Sequence, residues 1–164
     1  MSAPHPEAPR PTPAMVIATW FGSGLLPVMP GTWGSLAALP FAWLIAWPLG
    51  PRALLLAALL LFFVGWWAAH EVSRASGIKD QGAIVVDEVV GQWLTLVVTP
   101  PDAIAYAAGF LLFRVFDIVK PWPARWIDEH VGGGLGIMAD DVVAGFYAAT
   151  FLLVLLLILG KPIG

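Results

Sequence analysis

Residues 53–69, ALLLAALLLFFVGWWAA, are seventeen apolar or small residues in a row with no charge among them. A bilayer-spanning helix needs roughly 17–25 such residues, so this stretch reads as a transmembrane helix. Outward from it, the apolar character continues. Residues 36–47 (LAALPFAWLIAW) form an earlier span, which reaches back toward Trp33 and is kinked at Pro40. Trp47-Pro48 and Gly50-Pro51 turn the chain between the two. Downstream, residues 89–98 (VVGQWLTLVV) are apolar but short, and Thr99-Pro100-Pro101 ends them. They complete a span only if Asp87 and Glu88 sit at or below the headgroup level. Residues 103–119 (AIAYAAGFLLFRVFDIV) and 142–159 (VVAGFYAATFLLVLLLIL) are two more spans. Between these lie a Pro/Trp-rich turn, a short amphipathic piece (ARWIDEH) and a glycine run, GGGLG, that reads as a flexible lead.

The fold expected is therefore all-α, a polytopic membrane helical bundle of about four to five spans with interfacial Gly/Pro-rich loops. Composition agrees. The 164 residues are 59% hydrophobic and 12% charged, against about a quarter charged in soluble domains, and mean hydropathy is +0.83. A net charge of −3 argues against nucleic acid as a partner, because phosphate backbones call for a basic surface. The absence of cysteine excludes disulfide scaffolds, thiolate metal sites and cysteine-nucleophile phosphatases. Residues 1–13, with five prolines, read as a disordered tail and not as a signal peptide. Residues 14–164 read as one membrane-embedded domain.

With five spans and the N-terminus inside, Arg10, Arg74, Lys79, Arg114, Lys120 and Arg125 fall on the cytoplasmic side, and Arg52 and Lys161 on the other. This orientation puts every acidic cluster on the cytoplasmic side: Asp87-Glu88, Asp117 and Asp140-Asp141. A carboxylate at membrane depth costs about 2.5–3.5 kcal/mol on insertion scales, so something must offset it. At helical spacing of four, Asp87 continues into Gly91 and Thr95, and Asp141 into Gly145 and Ala149. Asp117 runs back through Phe113, Gly109 and Ala105. Stripes of small residues let membrane helices approach closely, so the three clusters are expected to converge at one mouth. Converging carboxylates without histidine suit a hard cation such as Mg²⁺. Two other readings stand beside this one. Either acidic pair suits a helix N-terminus, and Asp117 suits an ion pair with Arg114 or Lys120 at spacing three.

The segment FGSGLLPVMPGTWGS, residues 21–35, interrupts the apolar pattern. Its free N–H groups at Gly31, with Thr32 and Ser35, suit a phosphate where the first span begins; a glycine-rich turn capped by Ser35 is the alternative. Arg114, Lys120 and Arg125 gather near Asp117 as cations for a docked polyanion, or serve topology and lipid phosphates. Trp122 and Trp126 suit the membrane interface. His70 and His130 read as structural.

Four motifs in order carry a resemblance: GSGLLPVMPGTWGS, VDEVVG, FRVFDIVKPWP and GGLGIMADDVVAG. From Phe21 to Gly145 the chain resembles the phosphatidylglycerophosphatase A family. The resemblance implies an inner-membrane, Mg²⁺-dependent enzyme of bacteria, facing the cytoplasm, that removes the terminal phosphate of phosphatidylglycerophosphate, a lipid in the membrane. By motif, the family's acidic positions fall on Asp87, Glu88, Asp117, Asp140 and Asp141, and its basic one on Lys120. The roles are our own reading: Asp87, Glu88, Asp140 and Asp141 as metal ligands, and Asp117, Lys120 and Asp87 as the catalytic set. Gly31, Thr32, Ser35, Arg114 and Arg125 are then the substrate-binding set. Water and a covalent aspartate both fit as nucleophile. A transporter subunit or a non-catalytic scaffold are the alternatives; the apolar outer halves of the spans argue against a conduction path.

Overall fold

The computed structural model describes residues 12–77 and 82–164. Among them are seven α-helices, one short 3₁₀ turn at Ser23–Leu25 and no strand. The helices are α1 (Pro13–Ala18), α2 (Pro30–Leu49), α3 (Pro51–Ser76), α4 (Val86–Leu96), α5 (Ala103–Val119), α6 (Ala124–His130) and α7 (Gly133–Ile158). Three of them, α2, α3 and α7, are long and apolar enough to cross a membrane. At 1.5 Å per residue, the 11 residues of α4 rise only about 17 Å, and α5 has 17 residues.

Several boundaries differ from those expected. Helix α1 was not anticipated: Thr12 caps it, accepting from the Met15 N–H, and Pro13 opens it. Thr12 and Pro13, expected in the tail, thus belong to this helix and its cap; residues 1–11, with Arg10, and residue Lys79 lie outside the described residues. Helix α2 begins at Pro30, not near Trp33, and runs through Pro40 and Pro48 to Leu49. Proline suits the first turn, where its missing N–H has no intrahelical partner. One residue, Gly50, separates α2 from α3; at φ 78° it takes the turn that a side chain resists. Helix α3 continues past residue 69 to Ser76, where Gly77 in the left-handed region stops it. Helix α7 begins at Gly133, with Gly132 as its N-cap, so the rest of the glycine run is helical.

Helix α4 is the centre of the bundle. Every residue from Val89 to Leu96 is buried, with α7, α3, α2 and α5 packed around it. The small-residue stripes make this possible. A Cβ on Gly145 would stand 2.6 Å from the Gly91 carbonyl oxygen, and one on Gly91 equally close to that of Asp141. Side chains there would push α4 and α7 apart. Thr95 hydrogen-bonds the Gly91 carbonyl at 2.9 Å and lies 3.4 Å from that of Gly145. On the other side, the Trp93 indole donates to the Ala38 carbonyl of α2.

Large apolar side chains cover the outside, among them Leu44, Trp47, Leu60, Phe63, Ile104, Leu111, Phe146 and Ile158. A soluble bundle would not leave so many on its surface. The main helices alternate in direction. The start of α2, the end of α3, the starts of α4 and α7 and the end of α5 therefore share one end of the bundle. At the other end, Gly164 donates to the Val98 carbonyl, and Asp102 caps α5 by accepting from the Ala105 N–H at 2.8 Å.

Candidate active site

At the shared end, a cavity of about 400 Å³ opens among α2, α4, α5, α6 and α7. Six carboxylates line it (Asp87, Glu88, Asp117, Asp128, Asp140 and Asp141) against two cations, Arg114 and Lys120. Asp87 and Glu88 stand in the first turn of α4. Asp140 and Asp141 lie two turns inside α7, both buried. Helix capping therefore does not account for the α7 pair, since capping and dipole effects fade within the first turn.

The geometry separates two groups. Oxygens of Asp87, Glu88 and Asp141 lie within 4.8 Å of one another. Asp87 Oδ1, Glu88 Oε2 and Asp140 Oδ1 are buried without a hydrogen-bond partner. Carboxylate oxygens crowded together without donors call for a cation. An all-oxygen set with no histidine or cysteine fits Mg²⁺ or a similar hard ion.

The cations make the second group. Arg114 Nη1 lies 2.5 Å from Asp117 Oδ2, 3.9 Å from Glu88 Oε1 and 3.3 Å from the Ser35 hydroxyl, to which it donates. Ser35 in turn donates to the Gly31 carbonyl at 2.9 Å. Of the two pairings open to Asp117, the structure forms the one with Arg114. Lys120 instead donates to Asp140 Oδ2 at 2.5 Å and lies 3.4 Å from Asp128. Burial lowers the affinity of Lys120 for its proton, but the hydrogen bond and charge of Asp140, with Asp128 and Asp141, outweigh it. They hold its pKa above the ordinary lysine range. Lys120 caps α5 at φ 46°, the left-handed region.

The substrate-binding set expected from sequence is divided. Gly31 lines the cavity, and a Cβ there would run into Glu88 Oε1 and stand 3.1 Å from Arg114 Nη1. Only glycine lets α2 start this close to the carboxylates. Thr32 and Ser35 lie within α2 and do not line the cavity. Ser35 is fully buried and holds Arg114; it is not an N-cap. Arg125 is not brought to the site: it points outward on α6 and pairs with Glu129 at 2.9 Å.

Two residues escaped the sequence reading. Asp128 is exposed on α6, yet it lines the cavity and lies 3.4 Å from Lys120; nothing in the local sequence marks it. Gln92 lies one turn along α4 from Glu88, fully buried, with both amide atoms unpartnered.

Fold and site together define an all-helical, membrane-type bundle with a carboxylate-lined cavity at one end. The chain belongs to the phosphatidylglycerophosphatase A family, which matches residues 16–156. It is 45% identical to a phosphatidylglycerophosphatase A of Escherichia coli (strain K12), over 85% of this chain and 81% of that one. It is 41% identical to one from Haemophilus influenzae, over 83% and 84% of the two chains. A putative phosphatidylinositol-3-phosphatase of Bacteroides thetaiotaomicron is also 41% identical, over 89% of this chain and 95% of that one. No solved structure matches.

Proposed function

We propose that this protein is a Mg²⁺-dependent phosphatase of the bacterial inner membrane that converts phosphatidylglycerophosphate to phosphatidylglycerol. In this reading the chain crosses the bilayer five times, as α2, α3, α4, α5 and α7, with the cavity toward the cytoplasm. The family and the names of two relatives support the substrate. The observation that carries the chemistry is the convergence of Asp87, Glu88 and Asp141 beside two cations in one cavity.

Asp87, Glu88 and Asp141, with Asp140 beside them, are the residues to hold the metal. When bound, Mg²⁺ supplies positive charge against the phosphoryl oxygens. The remaining work belongs to side chains. Hydrolysis joins a water oxygen to phosphorus and breaks the bond from phosphorus to the glycerol oxygen, which leaves with a proton as phosphatidylglycerol. Asp117, fixed through Oδ2 by Arg114, orients that water and takes its proton. Lys120 stays protonated and stabilises charge on the phosphoryl group. Ser35 and Gly31 act through Arg114 and Glu88, holding their positions.

The direct test is phosphate release from phosphatidylglycerophosphate by purified protein in detergent. Release is expected with Mg²⁺, its loss in excess EDTA and its return when Mg²⁺ is restored. Full activity in EDTA would overturn the metal's role, and no release under any condition would overturn the function.

A further inference from the structure

The floor of the cavity lies below the end of the bundle. Asp141 is eight residues into α7 from Gly133, about 12 Å, whereas Asp117 and the Asp87-Glu88 pair stand in the end turns of α5 and α4. A lipid headgroup reaches that floor with its acyl chains still in the bilayer where the cavity opens sideways.

One wall meets that need. Met29 and Pro30, at the start of α2, and Ile118, at the end of α5, line the same cavity as Arg114 and Asp117. Met29 is 58% and Ile118 65% exposed, and their outward neighbours Val28 and Val119 are exposed as well. Exposed apolar side chains therefore border the cavity on this wall. The inner side of the site is closed, because α4 is buried from Val89 onward.

We infer that the gap between the start of α2 and the end of α5 is a lateral portal. There Met29 and Ile118 hold the glycerol backbone and first acyl carbons of a phosphomonoester lipid whose phosphate reaches the carboxylates. The inference rests on the proposed function and names how its lipid substrate is held.

Photolabelling of the wild-type protein in nanodiscs tests it without catalysis. Two lipids carry the same diazirine-bearing acyl chains. One is headed by a phosphonate analogue of phosphatidylglycerophosphate, whose C–P bond resists hydrolysis, and the other by phosphocholine. The phosphonate lipid is expected to label Met29 and Ile118 several-fold more than the phosphocholine lipid, whereas Leu60, exposed on α3, is labelled alike by both. Equal labelling at Met29 and Ile118 would overturn the portal, whatever the outcome of the phosphate-release assay. In the active enzyme, Met29→Gln and Ile118→Gln should lower the ratio of kcat/KM for long-chain over dibutyroyl substrate by about tenfold, the scale of one apolar contact. A ratio equal to that of the wild type and of Leu60→Gln would also contradict it.

Discussion

Helix α5 carries an aspartate at each end, and the two do opposite things. Asp102 lies just outside the first turn and accepts the Ala105 N–H, a contact that favours the helix locally. Asp117 lies in the last turn, where the helix dipole disfavours negative charge. It is buried and bound to Arg114 among five other carboxylates. Local structure is a sufficient reason for Asp102. For Asp117 it is an obstacle, and what offsets it is the Arg114 pair at the edge of the cavity. The same contrast extends to the two ends of the bundle: one end closes with caps and a C-terminal hydrogen bond, and the other opens into a charged cavity.

Lys120 is where the charged end should be most sensitive. Lys120→Met removes the cation between Asp140 and Asp128, and turnover should fall by about 10²-fold or more, with folding intact by detergent gel filtration. Turnover near wild type in the folded variant would reduce Lys120 to a helix cap. A packing change midway along the bundle should act differently. Gly145→Ala sets a Cβ against the Gly91 carbonyl, and such overpacking costs about 1–3 kcal/mol. The denaturation midpoint should drop, with activity per folded molecule falling less than in Lys120→Met. A midpoint that does not move would mean that the α4–α7 contact is looser than the geometry shows. At the capped end the effect should be smallest. Asp102→Ala should cost about 0.5–2 kcal/mol of stability and leave turnover essentially unchanged; a large loss of turnover would erase the contrast between the ends.

Much of this was legible in the sequence. Helices α5 and α6 fall at residues 103–119 and 124–130, because Asp102 after two prolines and Pro121-Trp122-Pro123 mark their limits. The three acidic clusters meet as the small-residue stripes implied. The helix starts at Pro30 and Gly133 were hidden, since glycine lowers helix propensity and both segments read as loops. Here packing decides: Gly34 lies against Val85 and Gly134 against the Trp66 backbone, approaches open only to small residues. The Arg114–Asp117 pair was visible as spacing three along one helix. The pairing of Lys120 with Asp140 joins α5 to α7, and no local spacing reports it. Arg125 stood near the motif in sequence, but α6 turns it outward, to Glu129.

Asp117 carries the central step of the proposed hydrolysis. Asp117→Asn keeps the side chain's shape and removes its charge, so phosphate release from phosphatidylglycerophosphate by the folded variant, in detergent with saturating Mg²⁺, is the deciding measurement. If Asp117 orients and deprotonates the attacking water, kcat falls by about 10²-fold or more while the protein elutes as the wild type does. A folded Asp117→Asn protein with near-normal kcat would contradict the account and leave Asp117 a structural partner of Arg114.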